Sequence, residues 1–151
     1  MSQTLEKHSP MDRLEAVMTE YPPADITAFH RFTPGMYIRE CRIPKNTLLI
    51  SETHITQHPF VITEGVIEGW SDNEEAFVYG AGHVGITQPG TRRVLYAHED
   101  TVWITFHATE ETDLVKIGQT ILEPHTNPIV GDHPSLHAWL RQLPTPDNTL
   151  T

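Results

Sequence analysis

From Tyr37 to Ala108 apolar and polar side chains alternate with a period of two, in short runs rich in β-branched and aromatic residues. Such runs read as strands, near 36–43, 47–53, 59–64, 66–70, 76–79, 83–87, 91–97 and 101–108. The breaks between them carry turn residues, among them Pro44-Lys45-Asn46, Gly65, Ser71-Asp72-Asn73, Gly80-Ala81-Gly82 and Pro89-Gly90. This spacing leaves no room for crossover helices, so it predicts an all-β barrel or sandwich.

Outside that block the period becomes helical. Asp12 caps an expected short helix with Glu15 three residues on, Leu14, Val17, Met18 and Tyr21 form its stripe, and Pro22-Pro23 ends it. So short a helix is marginal alone and is expected to dock on the barrel or on a partner, the barrel in preference. A second helix is expected over 113–122, with Leu114, Ile117, Ile121 and Leu122 on one side. A third is expected over 134–143. Its Leu136, Trp139, Leu140 and Leu143 are too apolar for a free tail and mark a candidate assembly arm. The organisation read from this is one domain: an arm with a helix over 1–33, a barrel over 34–109, and a helix with an extended tail over 110–151.

Charge narrows the partners. Ten Lys and Arg against twenty Asp and Glu leave a net charge of −10, without the basic face that binding to phosphates requires. Nucleic acid is not an expected partner. No apolar run approaches the roughly 18 residues of a membrane span, and the N-terminus lacks the basic start and apolar stretch of a secretion signal. The expected location is the cytoplasm. Cys41 is the single cysteine, so no internal disulfide forms.

The candidate chemistry lies in two stretches. Glu52-Thr53-His54 and then His58 put two imidazoles and a carboxylate around one turn, with Gly65 following after six residues. Gly82-His83-Val84-Gly85-Ile86-Thr87-Gln88-Pro89-Gly90-Thr91-Arg92-Arg93 supplies a strand, a Pro-Gly turn and a returning strand. Together these resemble the two motifs of the cupin superfamily. Glu52, His54 and His58 fall at the ligand positions of the first motif, with Glu and His exchanged relative to the usual order. In the second, Arg93 stands where the fourth ligand, a histidine, is usual. The run from Gly90 to His107, followed by Thr109-Glu110-Glu111-Thr112-Asp113-Leu114, is similar to small cupin-domain proteins of tailed bacteriophages and prophages.

The resemblance implies a single-domain jelly-roll barrel with short helices in its two arms. It implies a site at the barrel mouth for a divalent transition metal (Fe, Mn, Ni or Zn) on Glu52, His54, His58 and, from the last strand, His107. Arg93 cannot ligate a cation. It would fork with Glu52, or it would clamp an anionic substrate together with Tyr96.

Two functions follow. The first is a binding or structural module with a degenerate metal site or no metal at all. It would form homo-oligomers or join phage structural proteins, with a place in a virion. The second is a metal-dependent oxygenase, isomerase or lyase acting on a small anionic or sugar-like substrate, in which His107 or Tyr96 would move protons. Neither reading assigns a catalytic residue.

Overall fold

Alternation sorts each strand's side chains onto two faces, and burying one face of every strand closes the chain into two packed sheets. The computed structural model describes residues 9–124 and 127–129. In chain order the elements are α1 (Pro10–Met18), β1 (Thr27–Thr33), β2 (Met36–Ile43), β3 (Leu48–Ile50), β4 (His58–Glu64) and β5 (Val66–Ser71). They continue as β6 (Glu74–Gly80), β7 (Val84–Thr87), β8 (Arg93–Ala97), β9 (Thr101–Ala108) and α2 (Leu114–Ile121). One sheet has the order β1-β2-β9-β4-β7 and the other β3-β8-β5-β6. Every strand pairing is antiparallel. Consecutive strands repeatedly cross from one sheet to the other, which is a jelly-roll pattern.

The expected strands are present, with three departures. Thr27–Thr33, which the sequence reading leaves in the N-terminal arm, is strand β1, paired with β2 along its whole length. Its inward positions include His30, 3% exposed and hydrogen-bonded to Tyr37. That polar residue on the core face hides the binary pattern. The run expected over 47–53 is regular over Leu48–Ile50 alone. Helix α1 is capped by Ser9, whose hydroxyl accepts from the Asp12 amide at 3.1 Å, and not by Asp12. Pro10 at the first helical position explains the earlier start. Helix α2 is capped by Asp113, the residue expected to open it, with the carboxylate accepting from the Val115 and Lys116 amides. The expected helix over 134–143 lies outside the described residues.

The barrel interior has two layers of different character. The lower layer is apolar: Ile43, Phe60, Ile62, Ile67, Leu95, Ala97 and Trp103 form one cluster. The upper layer is polar, with His58, Thr87, Arg93, Thr105 and His107 all buried. Helix α2 closes that end by packing Ile117 and Ile121, with Leu122, around the fully buried Tyr37. The β4–β5 turn depends on Gly65 at φ +93°. A Cβ there would collide with the Asp100 carbonyl and the Thr101 backbone.

Candidate metal and ligand site

The polar layer gathers three histidines from three parts of the chain. His58 opens β4 and His107 lies near the end of β9, adjacent strands of one sheet, and both are almost fully buried. Their ring centroids are 4.4 Å apart. His54 lies in the irregular segment before β4, yet its backbone is fixed on both sides. It bridges Thr91 on one flank and Leu122 on the other. The His54 amide donates to the Thr91 carbonyl, and the Gly90 amide donates to the His54 carbonyl. Two further bonds, Ile55 amide to Ile121 carbonyl and Glu123 amide to Thr53 carbonyl, tie the segment to the end of α2. The His54 ring then stands 4.8 Å from His58 and 6.3 Å from His107.

All three rings resist protonation. Burial is the main cause for each. His54 is held well below the usual histidine range, with His58, His107, Arg39 and Arg93 adding to the effect. His58 is lowered as well, by burial and by Arg93 against a raising hydrogen bond to Thr56. His107 is pushed down to about 3, with His58 and Arg39 contributing. The rings are therefore neutral near pH 7 and each keeps a lone pair. His58 Nδ1 lies 3.0 Å from the Thr56 carbonyl, which can only accept. The N–H is therefore on Nδ1, and the Nε2 lone pair is left available. His107 Nε2 meets the Thr105 hydroxyl at 2.9 Å, while its Nδ1 is buried with no hydrogen-bond partner.

Among the described residues, no group of three or more His, Cys, Asp or Glu side chains already stands in a metal-holding arrangement. The His54 and His107 rings lie nearly parallel, 8° apart, rather than aimed at one point. The donor chemistry still fits a transition metal. Three neutral imidazoles are what such an ion takes, and the unpartnered Nδ1 of His107 is the kind of buried atom that needs a partner.

Beside His54 a groove of about 1060 Å³ opens between the α1 arm, the β1–β2 edge and β3. Its walls are largely apolar, with Leu14, Met18, Ile26, Leu48 and Ile50 among them, and Arg39, Glu52 and His54 supply polar groups. Glu52 thus borders the same space as His54. Arg93 is placed differently from expectation. It forks onto Glu74 (Nε to Oε1 2.8 Å, Nη2 to Oε2 3.1 Å) and donates to Thr87 at 2.9 Å, so its carboxylate partner is Glu74 and not Glu52. Tyr96, next but two along β8, faces the opposite side of its sheet. Its hydroxyl donates to Asn46 and its ring meets His98 edge-on. Leu136, Trp139, Leu140 and Leu143 lie outside the described residues. Sequence reasoning missed Arg39, whose inward position follows from its pairing with Thr105.

No protein-family model and no curated protein sequence matches the chain. Solved structures do share its fold. A salicylate 1,2-dioxygenase mutant from Pseudoaminobacter salicylatoxidans aligns over 74% of this chain and 34% of its own, at 12% identity and TM-score 0.52. An RmlC-like cupin family protein with a double-stranded β-helix fold from Methanocaldococcus jannaschii aligns over 58% and 83%, at 10% identity and TM-score 0.47. A cupin superfamily protein from Desulfitobacterium hafniense aligns over 62% and 85%, at 8% identity and TM-score 0.48. At 12% identity the likeness to the dioxygenase shows a shared fold and nothing about activity.

Proposed function

We propose that this chain is a metal-binding cupin in which His54, His58 and His107 hold a divalent transition metal and the adjoining groove admits a small organic ligand. One observation carries the reading: the buried His58 and His107 rings and the half-buried His54 ring lie side by side at the barrel mouth, and one of their nitrogens has no hydrogen-bond partner. Glu52, which lines the same groove as His54, is a candidate for a fourth, oxygen ligand. A bound ion of this type supplies Lewis acidity toward a carbonyl or a water molecule. The chain's own residues orient and enclose. Thr56 sets the His58 tautomer, Thr105 positions His107, and the apolar groove walls exclude water from whatever ligand lies against His54.

The test is elemental analysis of untagged protein after loading with Fe(II), Mn(II), Ni(II) or Zn(II). The expected result is about one equivalent of one of these metals, with affinity falling about a hundredfold or more in His58→Ala and His107→Ala. Less than about a tenth of an equivalent, unchanged in those variants, would refute it.

A second reading, also a proposal, is a binding or structural module with a degraded metal site, the role expected of a phage-type assembly protein. Arg93 favours it, because a guanidinium locked onto Glu74 occupies the place of the usual fourth ligand. An empty but folded protein in the same experiment would support that reading.

A further inference from the structure

Strand β9 runs through the middle of the five-stranded sheet with its polarity reversed. Its inward residues are Thr101, Trp103, Thr105 and His107, and its outward ones are Val102, Ile104 and Phe106. A sheet with one face in water ordinarily shows polar residues outward. The apolar character continues into the neighbouring strands in register. Phe106 pairs with Ile38 of β2, Ile104 with Val61 of β4, and Val61 with Val84 of edge strand β7. Val84 and Ile86 remain 69% and 59% exposed. Among the described residues, the two helices pack elsewhere, α1 against Arg92 and α2 around Tyr37.

We infer that this outer sheet face is the docking surface for a second copy of the chain. Charge and area point to this occupant. Glu40, at the β2 margin of the strip, is ion-paired with Arg31 at 3.2 Å and Arg42 at 2.7 Å, so this margin carries no net negative charge. In a molecule of net charge −10, two identical chains repel least where such a face meets its own image. The strip is apolar at its centre and charged at its edge, the pattern of a protein interface. Four strands about 25 Å long and the four-residue β7, spaced about 4.8 Å apart, offer on the order of 500 Å² before side-chain relief. That approaches the roughly 800 Å² per partner of a standard interface. Two such faces stack at about 10 Å, as sheets do in sandwiches, and a twofold axis closes the pair.

The experiment is sedimentation velocity on the full chain from about 1 to 100 μM, on wild type, on Val84→Lys/Ile86→Lys, and on the control Val78→Lys. Val78 is 65% exposed but belongs to β6 of the other sheet. Wild type and the control are expected at twice the 17.1 kDa chain mass. The double variant is expected as a monomer with unchanged circular dichroism, its dissociation constant raised a hundredfold or more. A wild type monomeric at 100 μM would overturn the inference, and that is also the outcome if the chain's own tail covers the face. So would a double variant that stays dimeric, or a control that dissociates.

Discussion

Arg93 is the residue whose surroundings decide most about the polar layer. It is 6% exposed, forked onto Glu74 and bonded to Thr87, and its guanidinium lies over the Phe60 and Trp103 rings at 5.1 and 5.5 Å. Removing it leaves the Glu74 carboxylate without its charged partner, so Arg93→Ala is expected to cost about 3 kcal/mol in urea denaturation. Arg93→Lys, which cannot fork, is expected to recover part of that and not all of it. Were Arg93 a substrate clamp rather than a structural ion pair, stability would barely change. The histidines make a second prediction, for the metal-free protein. In the unfolded chain each imidazole takes a proton near pH 6.5, whereas in the fold His54, His58 and His107 resist it to lower pH. Between those limits the unfolded state binds more protons, so stability falls as pH drops below about 6.5, by up to about 1.4 kcal/mol per pH unit for each ring. For His107 the loss continues to its folded value of about 3. Urea midpoints at pH 7.5, 6 and 5 would show the slope, and His107→Phe is expected to flatten it. A pH-independent midpoint would contradict the burial argument.

At the scale of elements, α1 is held by a small number of polar contacts. Arg92 pairs with Asp12 at 2.8 Å and Glu15 at 3.2 Å, and the fully buried Asn127 donates to the Asp12 carbonyl and to Glu15, each at 2.9 Å. Arg92→Ala is expected to cost about 2 kcal/mol. It should also raise amide exchange over residues 10–18 at least tenfold while leaving β9 protected, because the loss is local to the arm. Uniform exchange across the chain would mean instead that α1 folds as one unit with the barrel. The stripe of Leu14, Val17, Met18 and Tyr21 revealed that a helix exists. It did not reveal where the helix docks, since Val17 and Tyr21 stay exposed at 53% and 67%. The docking contacts come from Met11 and Glu15, which the stripe omits. Strand β1 was hidden for a related reason. Its core-facing His30 is satisfied by Tyr37 Oη at 2.7 Å, a partner that no local pattern announces.

For the molecule as a whole, charge sets behaviour in solution. Ten histidines against a net charge of −10 bring the chain toward neutrality on acidification. Burial holds His54, His58 and His107 neutral to lower pH than an ordinary histidine. A minimum in solubility is expected near pH ~5, close to the sequence pI of 5.3. High solubility there, independent of salt, would refute the charge argument. The same net charge is the reason the proposed self-association surface is placed beside Glu40, whose charge is offset by Arg31 and Arg42.

Period-two alternation and the Pro, Gly and Asn breaks determined the all-β class and most strand positions without any structure, because side-chain direction in a strand follows from backbone geometry alone. Capping residues likewise placed α2 at Asp113. Which histidines meet was a different question. His54, His58 and His107 are brought together by the β4–β9 pairing and by Thr91 and Leu122 flanking the His54 backbone, contacts between residues far apart in sequence. Arg93 turned to Glu74 rather than Glu52 because β8 lies beside β5, whose Ser71 end carries the turn into β6. Long-range strand order decided both, and no periodicity along the chain encodes it.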